Sequence, residues 1–348
     1  WGNRAQMVSG GGGGGGGGAG SMPLSNRLAE FDRPLAAVLR MGLLRLISCE
    51  WLLQQPLDWR LPRMQVLRDE HPNALVPPSI AAALLERRDR SIFAVSHGWL
   101  SRGDPDPHGA RLPVLRSYLE QLRTAGQLPA DAALFWDFGS LPQKPRTADE
   151  DRDFKRALRI MADVYASPLG TAVLQIKDIP TRPTALDGCV TVCELDANTS
   201  DQTVEDYLSN FGQVCAYSHG EGEPDASARY ARHASAILAA GKEHRPLGES
   251  SFVCLGYNER PYHERGWCVA EEMFSTECLL RLELPPQVRP KVLSLGAGGA
   301  AVEVRPKVGD PRQRSSEVKA AIGRATFTGK GDRQTVLQMH ISYQLRLS

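Results

Sequence analysis

The segment "GWCVAEEMF", Gly266 to Phe274, places a carboxylate where a helix should be apolar. Read as a helix, Trp267, Ala270, Glu271, Phe274 and Cys278 fall at i, i+3, i+4, i+7 and i+11, a single stripe that is apolar apart from Glu271. Glu272 is rotated off the stripe and can point to water. A carboxylate on a core-facing stripe costs free energy unless it is paired or put to chemical use. The structural reading of Glu271 is a salt bridge to Arg265 or another arginine that holds the helix to its neighbours; the chemical reading is a carboxylate facing a reacting group. Two further combinations could carry chemistry. Ser96 and His97 are adjacent, but neighbouring strand residues point to opposite faces and cannot pair with each other, so His97 is expected to bond Asp137 or backbone. Cys268 falls near a helix N-terminus, where the dipole lowers a thiol pKa, so a Cys268–His97–Asp137 nucleophile set is the minor alternative.

These residues need a frame. "SIFAVSH" reads as a short buried strand ending in Ser96 and His97, "AALFWDF" as a second that ends in Asp137, and "TAVLQI" as a third. Between them, Leu112, Leu115, Leu119 and Leu122 mark one helix, and Phe154, Leu158, Met161 and Tyr165 another. Strand, helix, strand, helix, strand predicts βαβ units and a parallel sheet, in which ligands bind beyond the carboxyl ends of the strands. Ser96, His97 and Asp137 fall at those ends. Upstream, a helical pattern runs from about Asn26 to Leu53, and "IAAALLERRDR" gives a shorter helix. Downstream, "PPQVRPKVLSLGAGGAAVEVRPK" supplies strands, and "GDRQTVLQMHISYQL" reads as a closing helix. The glycines of "GAGGA" match no phosphate-binding loop.

Between the third strand and the glutamate helix lies a long insertion. "VTVCEL", "DQTVEDYLSNFG", "QVCAYS", "ASARYA", "RHASAILAAGK" and "SFVCLGY" read as strand, helix, strand, strand, helix and strand. This βαββαβ order over Val190–Tyr257 resembles the RNA-recognition motif (RRM), a ferredoxin-like fold. Its base-stacking positions carry Thr191, Asp225 and Ser227 in place of aromatics, with Tyr230 alone retained, so RNA is not an expected partner. A packing or protein-contact role is expected instead.

The composition fits this frame. The chain has 348 residues, enough for two domains or one with a large insertion, with 42% hydrophobic and 23% charged residues. A formal net charge of +1 gives no electrostatic pull toward nucleic acid. Seven cysteines, odd in number and mostly set in apolar runs, read as reduced thiols of a cytoplasmic protein. Cys189 and Cys193 lack a second ligand pair at finger spacing, so no metal site is expected. "LAAVLRMGLLRLISCEWLL" is interrupted by Arg40, Arg45 and Glu50, so no membrane span is expected. The glycine run Gly10–Gly18 reads as a flexible tail. No signal peptide is visible, and a start at Trp1 leaves targeting open.

Taken together, "FAVSH", "LFWDF" and "WCVAE" stand in the order of a first-strand serine, a second-strand aspartate and a Trp-Cys-x-x-Glu helix. The chain thereby resembles the Toll/interleukin-1 receptor (TIR) domain and its nucleoside deoxyribosyltransferase-like relatives, over Ser91–Ile179 and Pro261 to about Leu280. The resemblance implies an α/β, flavodoxin-like parallel sheet with flanking helices. The expected organisation is a Gly-rich tail (1–20), a helical and loop extension (21–90), a first TIR-like part (91–186), the RRM-like insertion (187–258), and a second TIR-like part with the C-terminal segment (259–348). Many TIR domains cleave NAD at the nicotinamide–ribose bond through their glutamate. The resemblance therefore implies Glu271 as the catalytic residue, with Ser96, His97, Trp99, Asp137 and Trp267 around the nucleotide. NAD, or a related nucleotide, enters as substrate and no other cofactor is implied. The alternative is a non-catalytic TIR-like signalling scaffold acting through self-association into a homo-oligomer.

Overall fold

The computed structural model describes residues 24–100, 105–106, 109–181, 246–247, 251–252, 258–281, 289–306, 311–327 and 331–347. It is a mixed α/β protein with a six-stranded sheet at its centre. The parallel strands are β2 (Ile92–His97), β3 (Ala133–Phe135), β4 (Thr171–Ile176) and β7 (Val292–Leu295). Two short antiparallel strands close the edges: β1 (Ile47–Ser48) beside β3, and β8 (Ala301–Glu303) beside β7. The spatial order is β1-β3-β2-β4-β7-β8, so the parallel strands run second, first, third, fourth in chain order. The direction of winding reverses between β2 and β4. At such a reversal the connections leave on opposite faces and a crevice opens beyond the strand ends.

Why β2 and β4 are central follows from their composition. Every residue of both strands is buried, as expected of strands covered on two faces. Alternation divides them between two cores. Ile92, Ala94 and Val173 face a helical layer built from α1 (Leu24–Arg40), α4 (Pro78–Arg87), α7 (Ala148–Ala166), α8 (Gly266–Arg281), α9 (Pro311–Arg324) and α10 (Asp332–Leu347). Phe93, Val95, Ala172 and Leu174 face the other layer, which includes α2 (Cys49–Leu53), α3 (Met64–Glu70) and α5 (Arg111–Thr124). Helix α7 starts on a capping box: the Thr147 hydroxyl accepts from the Glu150 N–H, and the Glu150 carboxylate accepts from the Thr147 N–H.

Several elements depart from the sequence reading; the second strand, β3, stops at Phe135, and Asp137 opens a short helix instead of ending the strand. The helix expected from Asn26 to Leu53 is broken after Arg40, where Gly42 takes a left-handed backbone (φ 67°), and Ile47 then pairs with Leu134 as an edge strand. The apolar run "LLRLIS" suits helix and strand alike, and the free edge of β3 decides between them. Helix α9 has no counterpart in the sequence reading, because among its described side chains only Val318 and Ile322 reach the core. "GAGGA" forms the tight turn from β7 to β8. Gly298 and Gly299 have φ of 66° and 78°, and a Cβ on Gly299 would lie 2.4 Å from the Tyr118 nitrogen.

Of the expected RRM-like unit, the described residues include Pro246–Leu247 (β5) and Ser251–Phe252 (β6), which pair antiparallel. The rest of that reading, Thr191, Asp225, Ser227 and Tyr230 included, lies outside the described residues. Among the described residues no helix is long and apolar enough to cross a membrane.

Candidate active site at the switch point

Helix α8 carries the stripe read from the sequence. Ala270 and Phe274 are buried, Trp267 is half-buried against the same core, and Glu271 is 8% exposed. The helix begins where Gly266 meets Phe327; a Cβ on Gly266 would lie 2.3 Å from the ring, so only glycine admits this approach. Glu271 thus comes to lie over the carboxyl end of β2. There the Ser96 hydroxyl donates to Glu271 Oε2 at 2.6 Å, and the Tyr262 hydroxyl lies 2.5 Å from the same Ser96 oxygen. With Ser96 donating to the carboxyl group, Tyr262 donates to Ser96, giving a buried chain of Tyr262, Ser96 and Glu271.

No arginine or lysine forms an ion pair with Glu271 among the described residues. Arg265, the partner the structural reading assigned to it, is used elsewhere. Its guanidinium donates to the carbonyls of Arg260, Trp99 and Asn258, at 2.8, 2.5 and 2.7 Å. Burial therefore acts on Glu271 with little opposition and pushes its carboxyl pKa well above the usual range, with nearby Asp137 adding to the shift. The hydroxyls of Ser96 and Tyr165 pull the other way.

Glu271 opens onto a cavity of about 360 Å³, within the size range of small-molecule sites. His97, Trp99, Asp137 and Trp267 line it together with Glu271, so the structure gathers five of the six residues read from the sequence. Ser96 is the exception. It is fully buried beneath Glu271 and acts on the cavity only through that carboxyl group, because its side chain points from the sheet into the helical layer.

The aromatic walls are fixed by hydrogen bonds. The Trp99 indole donates to Asp137 Oδ2 at 2.7 Å and packs edge-on against Phe138, and the Trp267 indole donates to Asp332 at 2.9 Å. His97 does not bond Asp137 as expected. Its Nε2 accepts from the Trp136 indole at 2.7 Å, while Asp137 Oδ1 is 3.8 Å away. A nitrogen that accepts carries no proton, so these groups form no charged pair.

The Cys268 alternative fails on electrostatics. Burial, and then Glu271, push the thiol pKa well up, and this outweighs the helix N-terminus that was expected to lower it. Glu272, expected in water, is half-buried and pairs with Lys177 at 3.1 Å.

Sequence reasoning missed Tyr262, Arg146 and Arg260. Arg146 lines the cavity with its guanidinium 3.3 Å from the centre of the Phe154 ring, and Arg260 lines it from the strand-to-helix connection. Tyr262 lies in "PYHERGWC", just ahead of the glutamate helix, which is the only signal that could have flagged it.

Comparison with known proteins brings no match: no family model, curated protein or solved structure is significantly similar to this chain.

Proposed function

We propose that the protein is a TIR-like NAD glycohydrolase of flavodoxin-like fold, cleaving the nicotinamide–ribosyl bond at Glu271. The observation that carries this reading is a buried glutamate with hydroxyl partners and, among the described residues, no cation, open to an aromatic-walled cavity at the switch point of the sheet. The second-first-third-fourth strand order supports the flavodoxin-like assignment.

The chemistry suits one carboxyl group. Nicotinamide in NAD is a pyridinium cation and leaves as a neutral molecule, so no general acid is needed. When the C1′–N bond breaks, its electron pair passes to the nicotinamide nitrogen and positive charge moves to the ribosyl carbon. Glu271 beneath that carbon stabilises the charge or attacks it. Water completes the hydrolysis, giving ADP-ribose and a proton that passes through the Glu271 carboxylate to solvent. Burial raises the Glu271 pKa and so disfavours its charged form. An incoming pyridinium favours the ionised form, so the substrate itself generates the carboxylate. Arg146 and Arg260 supply positive charge for the diphosphate, and Trp99 and Trp267 supply faces for the rings.

The alternative of a non-catalytic scaffold acting through self-association would gain from a Glu271 closed off by a bidentate arginine, whereas Arg265 donates to backbone carbonyls. The deciding experiment is incubation of the purified protein with NAD, following nicotinamide by chromatography. Release that is abolished by Glu271→Gln supports the reading, and no release from wild type sinks it.

A further inference from the structure

Asp137 is a carboxylate with unusual company. It begins a short helix, α6 in the order β3-α6-α7 (Asp137–Ser140), and its side chain is 26% exposed toward the cavity that holds Glu271. Each oxygen accepts one N–H, Oδ2 from the Trp99 indole at 2.7 Å and Oδ1 from the Phe138 backbone at 2.8 Å. These two bonds fix the plane of the group. Trp99 is held in turn by Phe138, and Asp137 by the Gln143 amide, which donates to its carbonyl at 3.1 Å. No lysine or arginine among the described residues pairs with the carboxylate, and the nearest His97 nitrogen is itself an acceptor. A carboxylate has about four lone-pair positions, so half of this one's capacity remains for donors in the cavity.

A rigid, cation-free acceptor pair discriminates sharply among ligand groups. Phosphate and carboxylate are repelled. The cavity is lined by Arg146, Arg260 and Arg265, so anionic groups of a ligand have partners there and Asp137 is left for neutral donors. Among neutral groups, two adjacent acceptor oxygens suit a pair of neighbouring hydroxyls, each donating to one oxygen. We infer that Asp137 is the subsite for the ribose 2′,3′-diol of the ring held over Glu271, and that it makes the site selective for ribosyl over deoxyribosyl nucleotides. This rests on the nucleotide reading above, but it concerns recognition and not bond cleavage. The two can therefore fail separately.

The test is calorimetric titration with nicotinamide mononucleotide and its 2′,3′-dideoxy analogue, against wild type, Asp137→Ala and Trp99→Phe. Wild type should bind the diol form at least ~10-fold more tightly, the scale of one charge-assisted hydrogen bond. Asp137→Ala should bind both forms equally and weakly. Trp99→Phe leaves the carboxylate but frees its orientation, so the preference should shrink without vanishing, and this variant keeps the test open should Asp137→Ala not fold. Equal binding of the two forms by wild type, or an undiminished preference in folded Asp137→Ala, would overturn the assignment, as would failure of wild type to bind either. If wild type prefers the diol form yet releases no nicotinamide from NAD, the diol subsite stands and the glycohydrolase reading falls.

Discussion

Helix α8 buries two glutamates in opposite ways. Glu277, near its C-terminal end, is 2% exposed and bonds Arg314 at 2.8 Å, with the Arg314 guanidinium also donating to Thr276. Glu271 is nearly as buried, yet its partners among the described residues are hydroxyl groups and its open side faces a cavity. Burial is thus no guide to the role of a carboxylate, whereas the chemistry of its partners is. A guanidinium neutralises charge permanently and turns the pair into a brace between α8 and α9. Hydroxyls leave the charge to be decided by what enters the cavity.

Several experiments would break or sharpen this contrast. The largest effect is expected on turnover: Glu271→Gln should slow nicotinamide release by at least ~10²-fold, the loss that follows removal of one electrostatic stabiliser. Melting temperature at pH 8 should hold or rise, since the change removes a carboxyl group that resists ionising. A sharp fall in melting temperature would instead make Glu271 a structural residue like Glu277.

The converse change is Arg314→Met. It removes the Arg314 guanidinium from the buried Glu277 carboxylate, which keeps the Gln344 amide as a donor, and should lower stability by about 3 kcal/mol in urea titration, as breaking a buried pair does. Turnover per folded molecule should be unaffected. A change in turnover without loss of stability would mean that the brace belongs to the site.

The third test is pH. The folded pKa of Glu271 lies above its unfolded value of 4.5. Below pH 4.5 both states hold the proton and nothing is lost. As pH rises toward the folded pKa the unfolded chain alone gives up its proton, so stability falls through that window. The melting temperature of wild type should therefore drop relative to Glu271→Gln between pH 4.5 and 8. Parallel curves would show that Glu271 ionises freely. The smallest effect belongs to Glu272→Gln: its half-exposed pair with Lys177 should contribute no more than ~0.5 kcal/mol and leave turnover alone.

The comparison also separates what could be read early from what could not. Glu271 stood out because an apolar stripe with a 3.6-residue period makes one acidic member conspicuous. Glu277 sits at the edge of the same stripe, three residues after Phe274, but its partner lies on α9, a helix with too few apolar residues to be recognised. Tyr262 and Arg146 escaped for a similar reason. Their place in the site depends on where loops return, and loops carry no period.

By itself the sequence determined the elements whose order is local: the buried strands β2, β3 and β4, the helices α5 and α7 between them, and the inward side of α8. Periodicity and β-branched or apolar runs fix these wherever the rest of the chain lies. Tertiary structure alone decided that Ile47 joins the sheet beside Leu134, that Arg265 turns to backbone carbonyls instead of Glu271, and that Trp136 takes the His97 nitrogen from Asp137. Each of these is a competition between partners distant in sequence. Such competitions are settled by which donors and acceptors become buried together, since a buried polar group left without a partner is the larger penalty.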